Sequence, residues 1–198
     1  EIERLDLAET RLQLAALGRQ ETFPWLAPPP VPAWERAGQL LEDLGATTGG
    51  TLTRIGREMA RLPLHPRFSR ILLAARERQC LPAVTAAIAF LQGREIILPI
   101  GDKRRERERE SWWDEAEGVS DLLPPLHAWE RIRSTGGDAS FCREWGLHVQ
   151  GMRQGERVYA QLMRILGEKN PTGSGGTEAF CRSILAGYVD QLAKRKDR

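Results

Sequence analysis

Between positions 2 and 17 the apolar residues fall at Ile2, Leu5, Leu7, Leu12, Leu14, Ala15 and Leu17. This loose helical period predicts a first helix that ends near Ala16, with Gly18 as its C-terminal cap. Phe23, Pro24, Trp25 and Leu26 lead into Pro28, Pro29, Pro30 and Pro32, and prolines at this density build neither a helix interior nor a central strand. A rigid extended connector is expected there. Pro32 suits the first turn of the next helix, whose apolar stripe runs Trp34, Ala37, Leu40, Leu41 and Leu44 before Gly45.

Residues 46–53 read Ala-Thr-Thr-Gly-Gly-Thr-Leu-Thr, two short β-capable pieces about a Gly-Gly turn. A hairpin straight after a helix suggests a wing. Thr53 can cap a helix from Arg54 through Ile55, Met59, Ala60 and Leu62, stopped by Pro63 and Pro66. Together these elements predict a winged-helix module over residues 20–78. Phe68, Ile71, Leu72, Leu73 and Ala75 continue a helical period, and residues 83–91 are apolar almost all round, as in a helix buried inside a bundle. The helical pattern resumes over 122–132, 141–166 and 180–192, with breaks at Gly136-Gly137 and in a linker near 167–177. Residues 102–110 carry five positive and four negative charges and no apolar side chain, which predicts a solvated helix end or a charged loop reaching to about 118. The expected fold is therefore mainly α. A connecting helix (1–19) precedes a winged helix with a small β-hairpin (20–78), and a helical bundle follows (79–198).

Composition narrows the function classes. With 198 residues, 41% of them hydrophobic, the chain can bury a core as one or two small domains. The 29 Lys and Arg against 27 Asp and Glu leave a formal net charge of +2, too little to imply a polyanion partner, although Lys194–Arg198 carries a local excess of positive charge. No apolar run approaches the roughly 18 residues a membrane span needs, and the start has no signal-peptide layout. A cytoplasmic protein without a membrane partner is expected. Because the sequence opens on Glu1, a processed chain or a piece of a longer one is also expected.

Catalytic constellations are missing. The sequence has no phosphate-binding Gly-x-x-x-x-Gly-Lys-Ser/Thr loop, no Gly-x-Gly-x-x-Gly, no His-Glu-x-x-His and no Gly-x-Ser-x-Gly. No catalytic residue and no metal site is assigned. Cys80, Cys142 and Cys181 lack the paired spacing of a zinc site and read as reduced, mostly core thiols. His65, His127 and His148 read as packing or surface residues. The adjacent carboxylates Glu42 with Asp43, Asp114 with Glu115, and Glu115 with Glu117 read as solvated faces. Trp112 and Trp113, straight after the charged run, could stack bases, but tryptophans of a helical bundle more often anchor its core.

Several segments in order then resemble one family. They are Arg4-x-Asp6-Leu7, Ala16-Leu17-Gly18, Phe23-x-Trp25-Leu26-x-Pro28-Pro29-Pro30, Ala37-x-x-Leu40-Leu41-x-x-Leu44-Gly45-Ala46, and Leu52-Thr53-x-x-Gly56-x-x-Met59-Ala60-x-Leu62-Pro63-Leu64-x-Pro66. This order is similar to the C-terminal region of DEAH-box RNA helicases, where a winged helix follows the second RecA-like motor domain. Beyond residue 81 the likeness is looser. It runs through Asp121-Leu122-Leu123, Ala128-Trp129, Phe141-Cys142-Arg143, Gln161-Leu162 and Ile184-Leu185-Ala186-Gly187-Tyr188, and fits the family's helical ratchet domain. Pro63-Leu64-His65-Pro66-Arg67 and Cys142-Arg143-Glu144 resemble the bacterial HrpA/HrpB-type members. Gln150, Tyr159 and the Lys103–Glu110 run depart from the eukaryotic ones.

The resemblance implies a non-catalytic part of an ATP-dependent helicase that is inactive alone. RecA-like domains using ATP and Mg would lie upstream and an OB-fold downstream, with no cofactor in this part. It implies that the ratchet helps enclose single-stranded nucleic acid, with RNA favoured over DNA. The strand contacts it implies are Gln92, Gly93 and Arg94, backed by Arg143 and Arg153. Gly93 would let a phosphate approach the backbone closely. Arg67 and Arg70 read as surface salt-bridge residues. Two alternatives stand beside this. One is a protein-interaction platform, with an activator peptide docked on the winged helix near Phe23–Pro32. The other is a free-standing winged-helix nucleic-acid binder, against which Arg54, Arg57 and Arg61, offset by Glu58, form a thin basic face.

Overall fold

A computed structural model describes residues 6–20, 22–91, 93, 95–112, 120–168 and 176–192. The chain is mainly helical, as its periodicity predicts. It divides into two compact units, one formed by residues 1–79 and 175–198 and the other by residues 80–174.

In the first unit, α1 (Ala8–Ala16) packs on α2 (Val31–Asp43), and α3 (Arg54–Met59) on α4 (Pro66–Glu77). The predicted stripe of α2 is the buried one, with Ala37, Leu40, Leu41 and Leu44 joining Leu12, Met59 and Leu73 in one core. Pro32 sits in the first turn of α2 and Gly18 takes a left-handed backbone after α1. The hairpin forms where the Gly49-Gly50 pair predicts it, with β1 (Thr47–Thr48) and β2 (Thr51–Leu52) antiparallel and Thr47 opposite Leu52. Thr53 caps α3 as expected. Its hydroxyl accepts from the Gly56 amide at 3.0 Å and donates to the Gly45 carbonyl at 2.7 Å, joining hairpin and helix. α3 is shorter than its apolar pattern suggests, ending at Met59.

The last helix also belongs to this unit. The period over 180–192 predicts one long helix within a domain running from 79 to 198. Instead α10 spans Gly176–Leu185, a single 3-10 turn follows at Val189–Gln191, and α10 packs on α4. Arg67 fastens this return. Its guanidinium donates to both carboxylate oxygens of Asp190 at 2.6 and 2.7 Å and to the Gly187 carbonyl at 2.9 Å, and lies over the Tyr188 ring. The hydrogen bonds from Arg67 hold the Asp190 carboxyl below the usual carboxylate range. Arg67 is thus an ion-pair residue, as expected, in a bidentate geometry that spans the chain.

In the second unit, α5 (Leu81–Leu91) lies along α9 (Val149–Ile165) and against α7 (Leu123–Thr135). α5 is buried on nearly all sides, as its apolar composition requires. α9 approaches it closely through Gly155, where a Cβ would come within 2.0 Å of the Phe90 ring. Phe90, Trp129 and Tyr159 continue the seam, with ring centroids 6.0 and 4.7 Å apart.

Two expectations fail in this unit. The uninterrupted period over 141–166 is broken into α8 (Ala139–Glu144) and α9, because Gly146 adopts φ +60° and turns the chain back toward residues 96–98. A Cβ at Gly146 would meet the Leu98 carbonyl oxygen at 2.7 Å. There Leu98 donates its amide to the Gly146 carbonyl at 2.7 Å, and His148 donates its own to the Ile96 carbonyl at 2.8 Å.

The charged run is not a loop over its described part. Residues 103–110 form α6, capped by Asp102, whose carboxylate accepts from the Arg104 amide at 2.8 Å. Arg109 of α6 is 5% exposed and donates to the carbonyls of Leu98, Trp145 and Gly146 at 2.7, 3.0 and 3.3 Å. Its burial lowers the guanidinium pKa. Residues 113–118, including Trp113, lie outside the described residues. Trp112 is half-buried in an aromatic cluster, stacked on Phe141 and 4.9 Å from the Trp145 ring.

Candidate nucleic-acid interface

Of the five expected strand contacts, Gln92 and Arg94 lie outside the described residues. Gly93 follows α5 and opens on a cleft of about 550 Å³, shared with Phe90, Ile96 and Pro125. A Cβ at Gly93 would meet only the Phe90 carbonyl oxygen, at 3.5 Å, so the fold itself does not demand glycine there. The charged side chains along this cleft are Glu95, Glu110, Asp121 and Arg109. Three acids against Arg109 give the described lining of this cleft a negative bias.

Arg153 belongs to a different place. It is exposed on α9 and borders a groove of about 540 Å³ between α7, α8 and α9. Trp129, Ile132, Cys142 and Met152 give this groove apolar walls, and Arg133, Arg153 and Arg157 stand on it with Asp138 and Glu156. Arg143 is exposed on α8 and lines neither the groove nor the Gly93 cleft. The structure therefore separates Gly93, Arg143 and Arg153 where the sequence reading grouped them.

Both acids of the groove are engaged. Asp138 is the N-cap of α8 and accepts from the amides of Phe141 and Ser140, at 3.1 and 2.8 Å; these bonds hold its carboxyl low. Glu156 accepts the indole N–H of Trp129. The Arg133 guanidinium lies 4.7 Å from the centroid of the Trp129 ring and hydrogen-bonds Tyr159, whose pKa burial raises. Burial also pushes the Cys142 thiol up, which keeps it protonated and unreactive. The groove can hold an anion or a flat polar group at its arginine rim. It has no nucleophile–base pair.

Two of the three histidines have capping roles that residue type alone did not disclose, while His127 lies inside α7 with its ring nitrogen 3.2 Å from the Trp112 carbonyl oxygen. The His65 ring nitrogen accepts from the Arg67 amide at the start of α4, and that of His148 from the Gly151 amide at the start of α9. Cys80, Cys142 and Cys181 are not joined by disulfides, and the first two are buried. Among the described residues no group of acids, histidines and cysteines could hold a metal, and no helix is long and apolar enough to cross a membrane. Arg133, Arg157 and Arg164 were missed as candidates. The signal for α9 was available, since Arg153, Arg157 and Arg164 recur at helical spacing.

Residues 65–138 match the family described as Helicase associated domain (HA2), ratchet-like. The chain is 31% identical over 201 residues to the pre-mRNA-splicing factor ATP-dependent RNA helicase prp22 of Schizosaccharomyces pombe, an alignment covering 98% of the chain and 17% of that helicase. It is 30% identical over 206 residues to a probable ATP-dependent RNA helicase, a DHX35 homolog, of Caenorhabditis elegans, covering 98% of the chain and 28% of the relative. The chain is similar along almost its whole length to a minor part of each of these helicases.

Proposed function

We propose that this chain is the non-catalytic C-terminal part of an ATP-dependent DEAH-box RNA helicase, a winged helix and ratchet that help enclose single-stranded RNA while motor domains translocate it. The observation that carries this reading is the near full-length similarity to two ATP-dependent RNA helicases of which the chain spans only 17% and 28%. On this reading ATP and Mg act in RecA-like domains elsewhere in the protein, which together with an OB-fold are its intramolecular partners. The likeness of Pro63–Arg67 and Cys142–Glu144 to bacterial HrpA/HrpB-type members belongs to the same proposal. A splicing factor among the relatives makes the nucleus as admissible a compartment as the cytoplasm.

Strand contacts are assigned to Gln92, Gly93, Arg94, Arg143 and Arg153. Phosphate contacts fix position without reading sequence, so binding should be sequence-independent and steeply salt-sensitive. The chain is expected to hydrolyse no ATP and to bind an unstructured RNA oligonucleotide in fluorescence anisotropy titrations. Gly93→Ala, which the fold accommodates, and Arg94→Ala should each weaken RNA about tenfold if they meet the backbone. ATP turnover by the purified chain, or sequence-specific duplex binding at physiological salt, would overturn the reading.

A second reading is an activator peptide docked near residues 23–32. It is favoured by the full exposure of Leu26 beside the edge-to-face ring series Phe23, Trp25 and Trp34. Leu26→Asp would then abolish stimulation by the activator while leaving RNA binding intact.

A further inference from the structure

We propose that the outer face of α9 is a phosphate rail, on which Arg153, Arg157 and Arg164 hold the sugar–phosphate backbone of one RNA strand. This rests on the helicase reading above and extends the strand contacts beyond Arg153 along the same helix.

α9 is amphipathic. It buries Met152, Gly155, Tyr159, Leu162 and Met163 on one side, and at about 100° per residue the opposite side collects the three arginines within an arc of about 40°. Gln150, Gln154 and Gln161 border the same stripe, and all six side chains are exposed. A rise of about 1.5 Å per residue sets Arg153 and Arg157 about 6 Å apart and Arg153 and Arg164 about 16 Å apart along the axis. The first spacing is comparable with that of successive phosphates, and the whole stripe spans several nucleotides.

None of the three arginines is in an ion pair with a described residue, and on α9 they stand against the single carboxylate of Glu156, so the helix keeps a net positive charge. Glu156, on the edge of the stripe, accepts from the Trp129 indole, and Asp138, across the groove, accepts from two backbone amides; both stay charged, and these bonds fix where the two carboxylates lie. Glu168 lies beyond the end of the helix and has a partner of its own. The stripe contains no aromatic residue; its apolar neighbours are Ala160 and, beyond Gln154, the exposed Ile165. A protein partner would require a buried anchor at the centre of such a surface. A polyphosphate backbone requires only cations and amide donors at a regular spacing.

The test is a titration of the intact protein with a labelled 20-nucleotide oligouridylate over a series of salt concentrations. Each phosphate contact to a single strand contributes about 0.7 to the slope of log affinity against log salt. Replacing Arg153→Gln, Arg157→Gln and Arg164→Gln together should shrink that slope by about 2 and weaken binding at least about tenfold in 0.1 M salt. The thermal melt should not move, because the side chains are exposed. The corresponding triple change to lysine should keep the slope, since point charges suffice for phosphates.

An unchanged slope and affinity in the glutamine variant would overturn the rail. If Gly93→Ala and Arg94→Ala still weakened RNA in that case, the helicase reading would survive without it. Failure of the unaltered protein to bind oligouridylate would remove both. Equal binding of poly-glutamate through the same three arginines would overturn RNA as the occupant.

Discussion

α6 and α9 are the arginine-dense helices of the 80–174 unit, and they use one side chain in opposite ways. In α6, Lys103, Arg104, Arg105, Arg107 and Arg109 alternate with Glu106, Glu108 and Glu110 behind the Asp102 cap. Arg105 reaches Glu144 at 3.2 Å and Asp102 at 3.9 Å, and Arg109 turns inward to three carbonyls. In α9 the arginines are fewer, but three share a face whose only acid on the helix is Glu156, at its edge. Over its own residues each helix carries a net charge of +2, but in α6 the charges interleave and Asp102 and Glu144 pair with Arg105. A basic residue contributes to a long-range field only when its counter-charge is elsewhere, so spacing and pairing, rather than arginine count, decide where a polyanion could lie.

The largest effect that would sharpen this contrast is the loss of the α6 anchor. Arg109→Ala should cost about 3 kcal/mol in urea denaturation. It strips a charged donor from the Leu98, Trp145 and Gly146 carbonyls and unfastens the crossing at Gly146. A loss below about 1 kcal/mol would mean that the backbone pairing of residues 96–98 with 146–148 stands unaided, and Arg109 would rejoin the solvated charges of its helix.

Arg67 sets a second paired arginine against the free ones, with a smaller expected effect. Arg67→Ala should destabilise by about 2 kcal/mol at neutral pH, as charged hydrogen bonds of this kind do. It also carries a pH signature. Because Asp190 titrates below the usual carboxylate range in the folded chain, its stabilisation is present above the unfolded carboxylate pKa and is lost as pH falls through the lower folded value. The guanidinium stays charged throughout. Melting temperatures of the native protein and Arg67→Ala should therefore converge in acid and lie furthest apart near neutrality. A gap independent of pH would assign the effect to the Gly187 carbonyl and the Tyr188 ring instead.

What the sequence discloses and what it hides follow the range of the interactions. The Thr53 cap, the Gly49-Gly50 hairpin, the stripe of α2 and the all-round apolar α5 each depend on residues within a turn or two, and each is where the pattern puts it. The break at Gly146 is invisible to a periodicity argument, since the apolar period continues through it. A left-handed glycine and the bond from the Leu147 amide back to the Cys142 carbonyl at 2.7 Å end α8 locally, while Leu98 and Arg109, from elsewhere in the chain, hold the turned segment in place. The docking of α10 on α4 is set by Arg67 meeting Asp190 across 123 positions, and no local signal announces it. The candidate site divides in the same way. The resemblance drew attention to Gly93 and Arg153, whereas their placement in separate clefts, one lined by Glu95, Glu110 and Asp121, depends on how α5, α6, α7 and α9 pack.

The smallest expected effect tests the contrast most directly. Whereas α9 sets Glu156 alone among its three arginines, Arg104 and Arg107 are exposed on α6, where Glu106, Glu108 and Glu110 interleave with the basic residues. Replacing both with glutamine should change stability by less than about 0.5 kcal/mol, as surface substitutions away from special features do. If local pairing governs RNA binding, the oligouridylate salt slope should move by less than the roughly 0.7 of a single phosphate contact. The three α9 replacements remove one more positive charge than this pair yet are expected to move the slope about three times as far. An equal shift per arginine in the two helices would mean that an approaching strand feels total charge rather than its local cancellation, and the inference from α9 would lose its footing.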